Sequence, residues 1–346
     1  MELQAIPVCG FPEVLPGDSI ADLLVDALAS RGFRLHVGDI LVVKHKIVSK
    51  AEGRRVELAT VKPSAVARRF AAKNGIDARL TELALREAAR VVRNRHVLIT
   101  GASSGIGLAT ARLLARRGAR VFLIARSADR LTAAAAAIAR DGGTADWAVA
   151  DVADRPALLA AIDKAEGTFG EVSGLFANAG AGGRFAPLAD YDDAQFDTLL
   201  RTNLTSVYWA MKRVLPPMLA AGSGSIVVTG SLASERGMPN NAAYVASKHA
   251  VLGLARAAAI EAAPHNVRVN CVLPGLIETP MIMRLDPSAS VEALRARLGS
   301  NVPQGRIGTA EELAELVCFL LSDRASHITA QTIAVDGGIL GTLTPR

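Results

Sequence analysis

The chain has 346 residues, half of them hydrophobic and only 4% aromatic, with 39 Lys and Arg against 33 Asp and Glu for a net charge of +6. That is the composition of a globular protein long enough for two domains, or for one large α/β domain with an appendage; it excludes collagen-like and disordered chains. Cys9, Cys271 and Cys318 stand too far apart for a zinc site or a disulfide framework. No apolar run approaches the ~18 residues of a membrane span and the start lacks a signal-peptide pattern, so the expected compartment is the cytoplasm, with no membrane partner.

Residues 1–96 hold 16 Lys and Arg against 11 acids, so the basic excess belongs to the N-terminal quarter. It has no basic tracts and no interleaved aromatics, and no nucleic-acid partner is expected. This quarter opens on LQAIPV and passes PGDS, where Asp18 or Ser19 can cap the helix IADLLVDALASRG. Strand-like GDILVVKHKIVSK and RRVELATV follow, then the helical stretches SAVARRFAAKNG and ARLTELALREAARVVR, the second running into Asn94 and Arg95 without a linker.

From about residue 97 the pattern becomes a βα rhythm. HVLIT (96–100), VFLIA (121–125), ADWAVAD, GLFAN (174–178), SIVVTG (225–230) and VRVNCVL (267–273) read as buried strands separated by helical stretches. The expected fold class is therefore α/β, a Rossmann-type doubly wound parallel sheet with a small N-terminal α/β appendage.

Thr100-Gly101-Ala102-Ser103-Ser104-Gly105-Ile106-Gly107 falls between the first of these strands and its helix. Such glycines allow a tight turn and close backbone approach, and the free N–H groups of the helix start then suit a pyrophosphate. The same turn also serves as a plain βα connection, so it needs support from elsewhere. In a dinucleotide fold an acid at the end of the second strand bonds the ribose of NAD, whereas an Arg accommodates the phosphate of NADP. Here the strand ends Ile124-Ala125-Arg126-Ser127, which favours NADP(H) and leaves NAD(H) open. Asp151 and Val152 are candidates for the adenine amino group, and Asn178, Ala179 and Gly180 for the turn beneath the nicotinamide.

Tyr244-Val-Ala-Ser-Lys248 sets a phenol and an ammonium on one helical face. A phenol with a pKa of about 10 is a poor acid or base at neutral pH, and a fixed cation beside it favours the phenolate. Tyr244 is then the expected proton donor or acceptor, with Lys248 tuning it and bonding the nicotinamide ribose. Tyr208-Trp-Ala-Met-Lys212 has the same spacing. Only Tyr244 follows a hydroxyl at a strand end, Ser231, and Tyr208 is assigned to helix packing. His249 and His265 lack metal-ligand spacing, no metal is expected, and Cys271 reads as buried packing.

With the Asp-Val pair, Asn-Ala-Gly, the Asn in RTNLTS, Ser231 thirteen residues before Tyr244, YVASK and NCVLPGLIETP in order and spacing, residues 95–342 resemble a short-chain dehydrogenase/reductase. The resemblance implies Tyr244 as general acid/base, Lys248 as its tuner, Ser231 polarising the substrate carbonyl, and Asn203 holding a water in a proton relay. It implies that Pro274, Gly275, Ile277 and Thr279 contact the nicotinamide end. It implies a small carbonyl or alcohol substrate and a homodimer or homotetramer. Residues 181–190 and 276–300 would form the rim and lid, where Arg184 or Arg284 is a candidate contact for an anionic substrate, although an exposed cation is the plainer reading.

Residues 1–93 carry a second resemblance, through PEVLPGDSIADLL, GDILVVKHKIVSKAEGR and VKPSAVARRFAAKNG, to the opening part of the gamma-glutamyl ligase of the deazaflavin coenzyme F-420. Lys44-His45 departs from that family's pattern, and the residues that would complete its metal and nucleotide site are absent. The chain is thus divided into a partial ligase-like domain, 1–94, and a dehydrogenase domain, 95–346. Lys46, Ser49 and Lys50 are where ligand contact would be sought. Two alternatives stay open: a non-catalytic dinucleotide binder, and a ligand-binding module of the deazaflavin pathway in residues 1–94.

Overall fold

In the computed structural model the described residues are 95–342 without 284, 285 and 287, together with 62, 63, 68 and 77–79. The chain divides into two units, Met1–Arg86 and Glu87–Arg346. Lys46, Ser49, Lys50 and Arg284 lie outside the described residues.

The second unit is built on seven parallel strands. In chain order they are β1 His96–Thr100, β2 Arg120–Ala125, β3 Thr144–Val149, β4 Gly174–Ala177, β5 Gly224–Thr229, β6 Val267–Pro274 and β7 Thr332–Val335. The helices are α1 Gly105–Arg116, α2 Ala128–Arg140, α3 Arg155–Phe169, α4 Asp193–Leu200, α5 Ser206–Ala221, α6 Ala242–Ala262, α7 Pro280–Met283, α8 Val291–Gly299 and α9 Ala310–Leu320. The sheet order is β3-β2-β1-β4-β5-β6-β7, every pair parallel. Strand order therefore reverses between β1 and β4, and ligands of such sheets bind outside the strand ends at that crevice.

Strand alternation distributes the core to two faces. Leu98, Phe122 and Ile124 pack with Ile162, Val207 and Val251 of α3, α5 and α6. Their neighbours Val97, Ile99, Val121 and Leu123 point the other way, onto Leu114, Leu131 and Val317 of α1, α2 and α9. At about 25 cal/mol per Å² of apolar surface removed from water, these two layers supply the main stabilisation of the unit. Cys271 and Cys318 belong to them, and burial pushes their thiols up to about 11 and about 12.

The six strands read from the sequence are all present; β7 is an addition. It is set in register by Asn270, whose side chain donates to the Ile328 carbonyl at 2.8 Å and accepts from the Gln331 N–H at 3.0 Å. Among the described residues no helix is long and apolar enough to cross a membrane.

Candidate active site

The crevice begins at the end of β1. Gly101 has φ +68°, a left-handed conformation that glycine adopts without strain, and its N–H donates to the Ile124 carbonyl at 2.8 Å. A Cβ on Gly107 would lie 2.4 Å from the Gly101 carbonyl oxygen, so the first turn of α1 can fold under the loop only with glycine there. No acidic residue occupies that first turn, and Ser103 and Ser104 lie half-buried on the loop above it. Ile106 packs beneath. The helix start thus presents free N–H groups to an anion with no competing carboxylate.

Asn178, just past β4, spans the crevice. Its Nδ2 donates to the Thr100 and Gly101 carbonyls at 3.2 and 3.4 Å, and its Oδ1 accepts from the Thr229 hydroxyl at 3.3 Å. The Thr100 hydroxyl in turn accepts from the Asn178 and Ala179 N–H groups at 3.0 and 3.1 Å. Thr100 and Thr229 were not singled out in the sequence, though a threonine ending an otherwise apolar strand was the visible signal. Gly180 follows, where a Cβ would stand 3.3 Å from Asn203 Oδ1 and 3.7 Å from Lys248 Nζ.

Three elements bring the proton-handling groups together. Asn203 sits in a π-helical turn, Arg201–Thr205, joining α4 to α5; such turns recur at functional sites. Its amide holds Ala181 by both main-chain groups, at 2.8 and 2.9 Å, and donates to the Ser247 hydroxyl at 3.1 Å. Ser231 caps the short 3-10 turn Leu232–Ser234 after β5, and its hydroxyl faces the half-buried Tyr244 phenol. One turn along α6, Lys248 is only 4% exposed; its Nζ donates to the Thr229 carbonyl at 2.8 Å and stands 5.7 Å from the centre of the Tyr244 ring.

The electrostatics differ from the simple expectation. Burial is the larger influence on Tyr244 and raises its phenol, while the Ser231 hydroxyl works in the opposite direction. Burial also pushes the Lys248 amine down to about 8, with Cys271 acting against that. The Lys248 ammonium donates to a strand-end carbonyl.

The remaining predicted residues fall around the same crevice with different exposures. Pro274 ends β6, and the Gly275 N–H donates to the Val335 carbonyl at 2.9 Å. A Cβ on Gly275 would strike Asp336 at 2.5 Å, and the Asp336 carboxylate caps the Gly338 and Leu340 N–H groups at 2.9 and 2.7 Å. Thr279 abuts the start of α1, its Cγ2 3.2 Å from where a Gly105 side chain would begin. Ile277 and Val152 bury their side chains, which leaves only their main chains to meet a ligand. At the other end Arg126, with its side chain 81% exposed, stands 3.9 Å from Asp151. Arg184 is exposed on the rim.

Tyr208 is the correction. Expected to pack, it is 42% exposed on α5, and its hydroxyl accepts from Lys212 Nζ at 3.2 Å. Its side of the helix turns away from the core, which is filled instead by Val207, Ala210 and Met211.

A family model for enoyl-(acyl carrier protein) reductases matches residues 101–340. Levodione reductase of Leifsonia aquatica is 39% identical over 251 residues, which cover 71% of this chain and 94% of that protein. The chain belongs to the short-chain dehydrogenase/reductase family. Two solved structures place the dehydrogenase/reductase unit among oxidoreductases of the same fold. An actinorhodin polyketide ketoreductase variant with NADPH shares 36% identity and a TM-score of 0.68, covering 71% of this chain and 97% of that one. An NAD+-bound xylitol dehydrogenase shares 32% and 0.66, covering 71% and 99%. The relatives named are reductases and dehydrogenases, and the two solved structures hold NADPH and NAD+, which supports oxidoreduction with a nicotinamide dinucleotide. A second model, F420-0:gamma-glutamyl ligase, matches residues 10–187, so the sequence joins a ligase-like segment to the dehydrogenase/reductase. That match reaches past residue 93 into the strands β1 to β4, where the structure is the first half of the dinucleotide-binding sheet.

Proposed function

We propose that the protein is an NADP(H)-dependent oxidoreductase interconverting a small carbonyl compound and its alcohol, with Tyr244 as general acid/base. The observation that carries this reading is Lys248. A lysine this buried, with no ion pair among the described residues, is unfavourable for stability, and a fold retains such a group where its charge is used. It lies under the one tyrosine that also faces a strand-end serine.

The residues fit a dinucleotide. Gly101, Ser103, Ser104, Gly105, Ile106 and Gly107 form the anion-binding turn, Asn178, Ala179 and Gly180 the floor, and Pro274, Gly275, Ile277 and Thr279 the far wall. Arg126 offers an exposed guanidinium to a ribose phosphate; β2 itself ends without an acid, and the Asp151 carboxylate stands 3.9 Å from the guanidinium. Asp151 and Val152 border the adenine end. When bound, the nicotinamide supplies or accepts the hydride. Ser231 donates to the substrate oxygen and orients it. Tyr244 gives its phenolic proton to the alkoxide as it forms, or removes the proton of an alcohol in the reverse direction. Lys248 stabilises the phenolate, and Asn203 holds the Ala181 main chain beside them.

We set the functional boundary at 94/95, because the Arg95 carbonyl already accepts from the Arg120 N–H at 2.9 Å at the head of the sheet. Exposed Tyr208 and Ile260 on α5 and α6 support a homodimer or homotetramer through those helices.

The test is a titration of the full-length protein with NADPH and, separately, NADH, followed by heat or by Trp147 and Trp209, and then a screen of cyclic and acyclic ketones with the tighter dinucleotide. Tight NADPH binding, weak NADH binding and ketone-dependent NADPH oxidation are expected. Binding of neither dinucleotide would overturn the reading.

A further inference from the structure

The segment 181–186 walls the reacting centre and is held by three asparagines. Asn203 grips both main-chain groups of Ala181, the Asn240 carbonyl accepts from the Ala186 N–H at 2.8 Å, and Asn241 donates Nδ2 to the Gly182 carbonyl at 3.1 Å. Asn241 is 2% exposed and stands at the N-cap position of α6, three residues before Tyr244, where its main-chain carbonyl accepts from the Val245 N–H at 3.1 Å while its side chain makes no capping bond, so this loop and the phenol share one anchor.

Half of that amide is unused. Asn241 Oδ1 is buried without a hydrogen-bond partner, and so is the Tyr191 hydroxyl. Both atoms approach the same glycine: a Cβ on Gly183 would lie 3.1 Å from Tyr191 Oη and 3.5 Å from Asn241 Oδ1, as well as 2.7 Å from Leu199. A buried polar atom left unpaired costs about 1–3 kcal/mol, and native folds rarely tolerate one without a use. A phenol is a donor and an amide oxygen an acceptor, so the two orphans are complementary. Glycine at 183 leaves the room in which they can meet.

We propose that Asn241 and Tyr191 are positioning residues for the carbonyl substrate: Asn241 ties segment 181–186 to the start of the Tyr244 helix, and Tyr191 donates to Asn241 Oδ1 when a substrate presses that segment, completing the tie. The proposal rests on the carbonyl–alcohol reading above and deepens it. Neither residue touches the reacting atoms; their effect is on where the pocket wall stands relative to the phenol.

The experiment has two arms on the full-length protein. In the first, amide hydrogen exchange is compared between wild type and Asn241→Ala without substrate. Exchange in 181–186 is expected to rise at least about tenfold with β1, β4 and β5 unchanged, and an unchanged segment overturns the tie. The second uses Tyr191→Phe, which removes a single buried oxygen, with Asn241→Ala and the double variant, at saturating NADPH and a varied ketone that the wild type reduces. Each single variant is expected to raise KM about tenfold with kcat within about threefold and dinucleotide affinity unchanged, and the double variant to be no worse than Asn241→Ala. A wild-type KM for Tyr191→Phe, or additive effects in the double variant, overturns the pairing. If the wild type binds NADPH yet reduces no ketone, the parent reading has failed, and the exchange arm still decides for or against Asn241.

Discussion

Helices α5 and α6 carry the same tetrad spacing, Tyr208 to Lys212 and Tyr244 to Lys248, and the two pairs behave in opposite ways. In the exposed pair the ammonium bonds directly to the phenolic oxygen, at 3.2 Å. In the buried pair the ammonium bonds to the Thr229 carbonyl instead and the phenol faces Ser231. Spacing alone aligns two side chains on a helix; what surrounds the helix decides whether the alignment is an ordinary surface contact or a proton-handling device. The exposed pair is worth little, being solvated and screened. In the buried pair the Thr229 carbonyl at the end of β5 offsets part of the ammonium's desolvation.

This contrast can be broken most sharply at the tyrosines. Tyr244→Phe is expected to lower kcat by about 10³-fold or more, within the range general acid–base groups contribute, while Tyr208→Phe stays within about twofold. Steady-state kinetics with NADPH and a ketone reads both, and a reversed ranking would transfer the chemistry to α5.

The lysines sharpen it next. Lys248→Met is expected to cost about 10²-fold in turnover and to raise Tm at neutral pH, whereas Lys212→Met does neither. The amine's ordinary value of 10.5 is lowered to about 8 in the fold. Between those values the unfolded chain holds the proton and the folded protein does not, so the penalty is fully present below pH 8 and fades as pH rises towards 10.5. The Tm gain of Lys248→Met, read by thermal melts across that range, should therefore shrink with rising pH.

Ser231→Ala should lose about tenfold to 10²-fold in kcat/KM by withdrawing one donor from the substrate oxygen. The smallest effect is expected at the adenine end, where Arg126→Ala weakens NADPH about tenfold and NADH less than twofold. Equal weakening in a binding titration would remove Arg126 from the phosphate site.

Much of this was readable in advance because it is written locally. Strands β1 to β6 are continuous apolar runs, and the glycine turn, Asn178, Ser231 and the Tyr244–Lys248 pair occur in short strings that keep their spacing. Strand β7 was missed because its apolar run, Ile333-Ala334-Val335, is only three residues long, too short to announce a strand by itself. Thr100 and Thr229 were missed for another reason: each acts by bonding to main chain or amide far away in sequence. The exposure of Tyr208 and the upward push on Tyr244 depend on which neighbours fill the space around them, which no residue string encodes.

The two buried cysteines among the described residues have a practical consequence. With thiols raised to about 11 and about 12, Cys271 and Cys318 present almost no thiolate at neutral pH and no surface to a reagent. They sit in opposite layers, one packed with α6 and the other with α1. Alkylation of either therefore clocks the opening of its own layer, and comparing the two labelling rates tells whether the sheet comes apart as one body or sheds one covering of helices first.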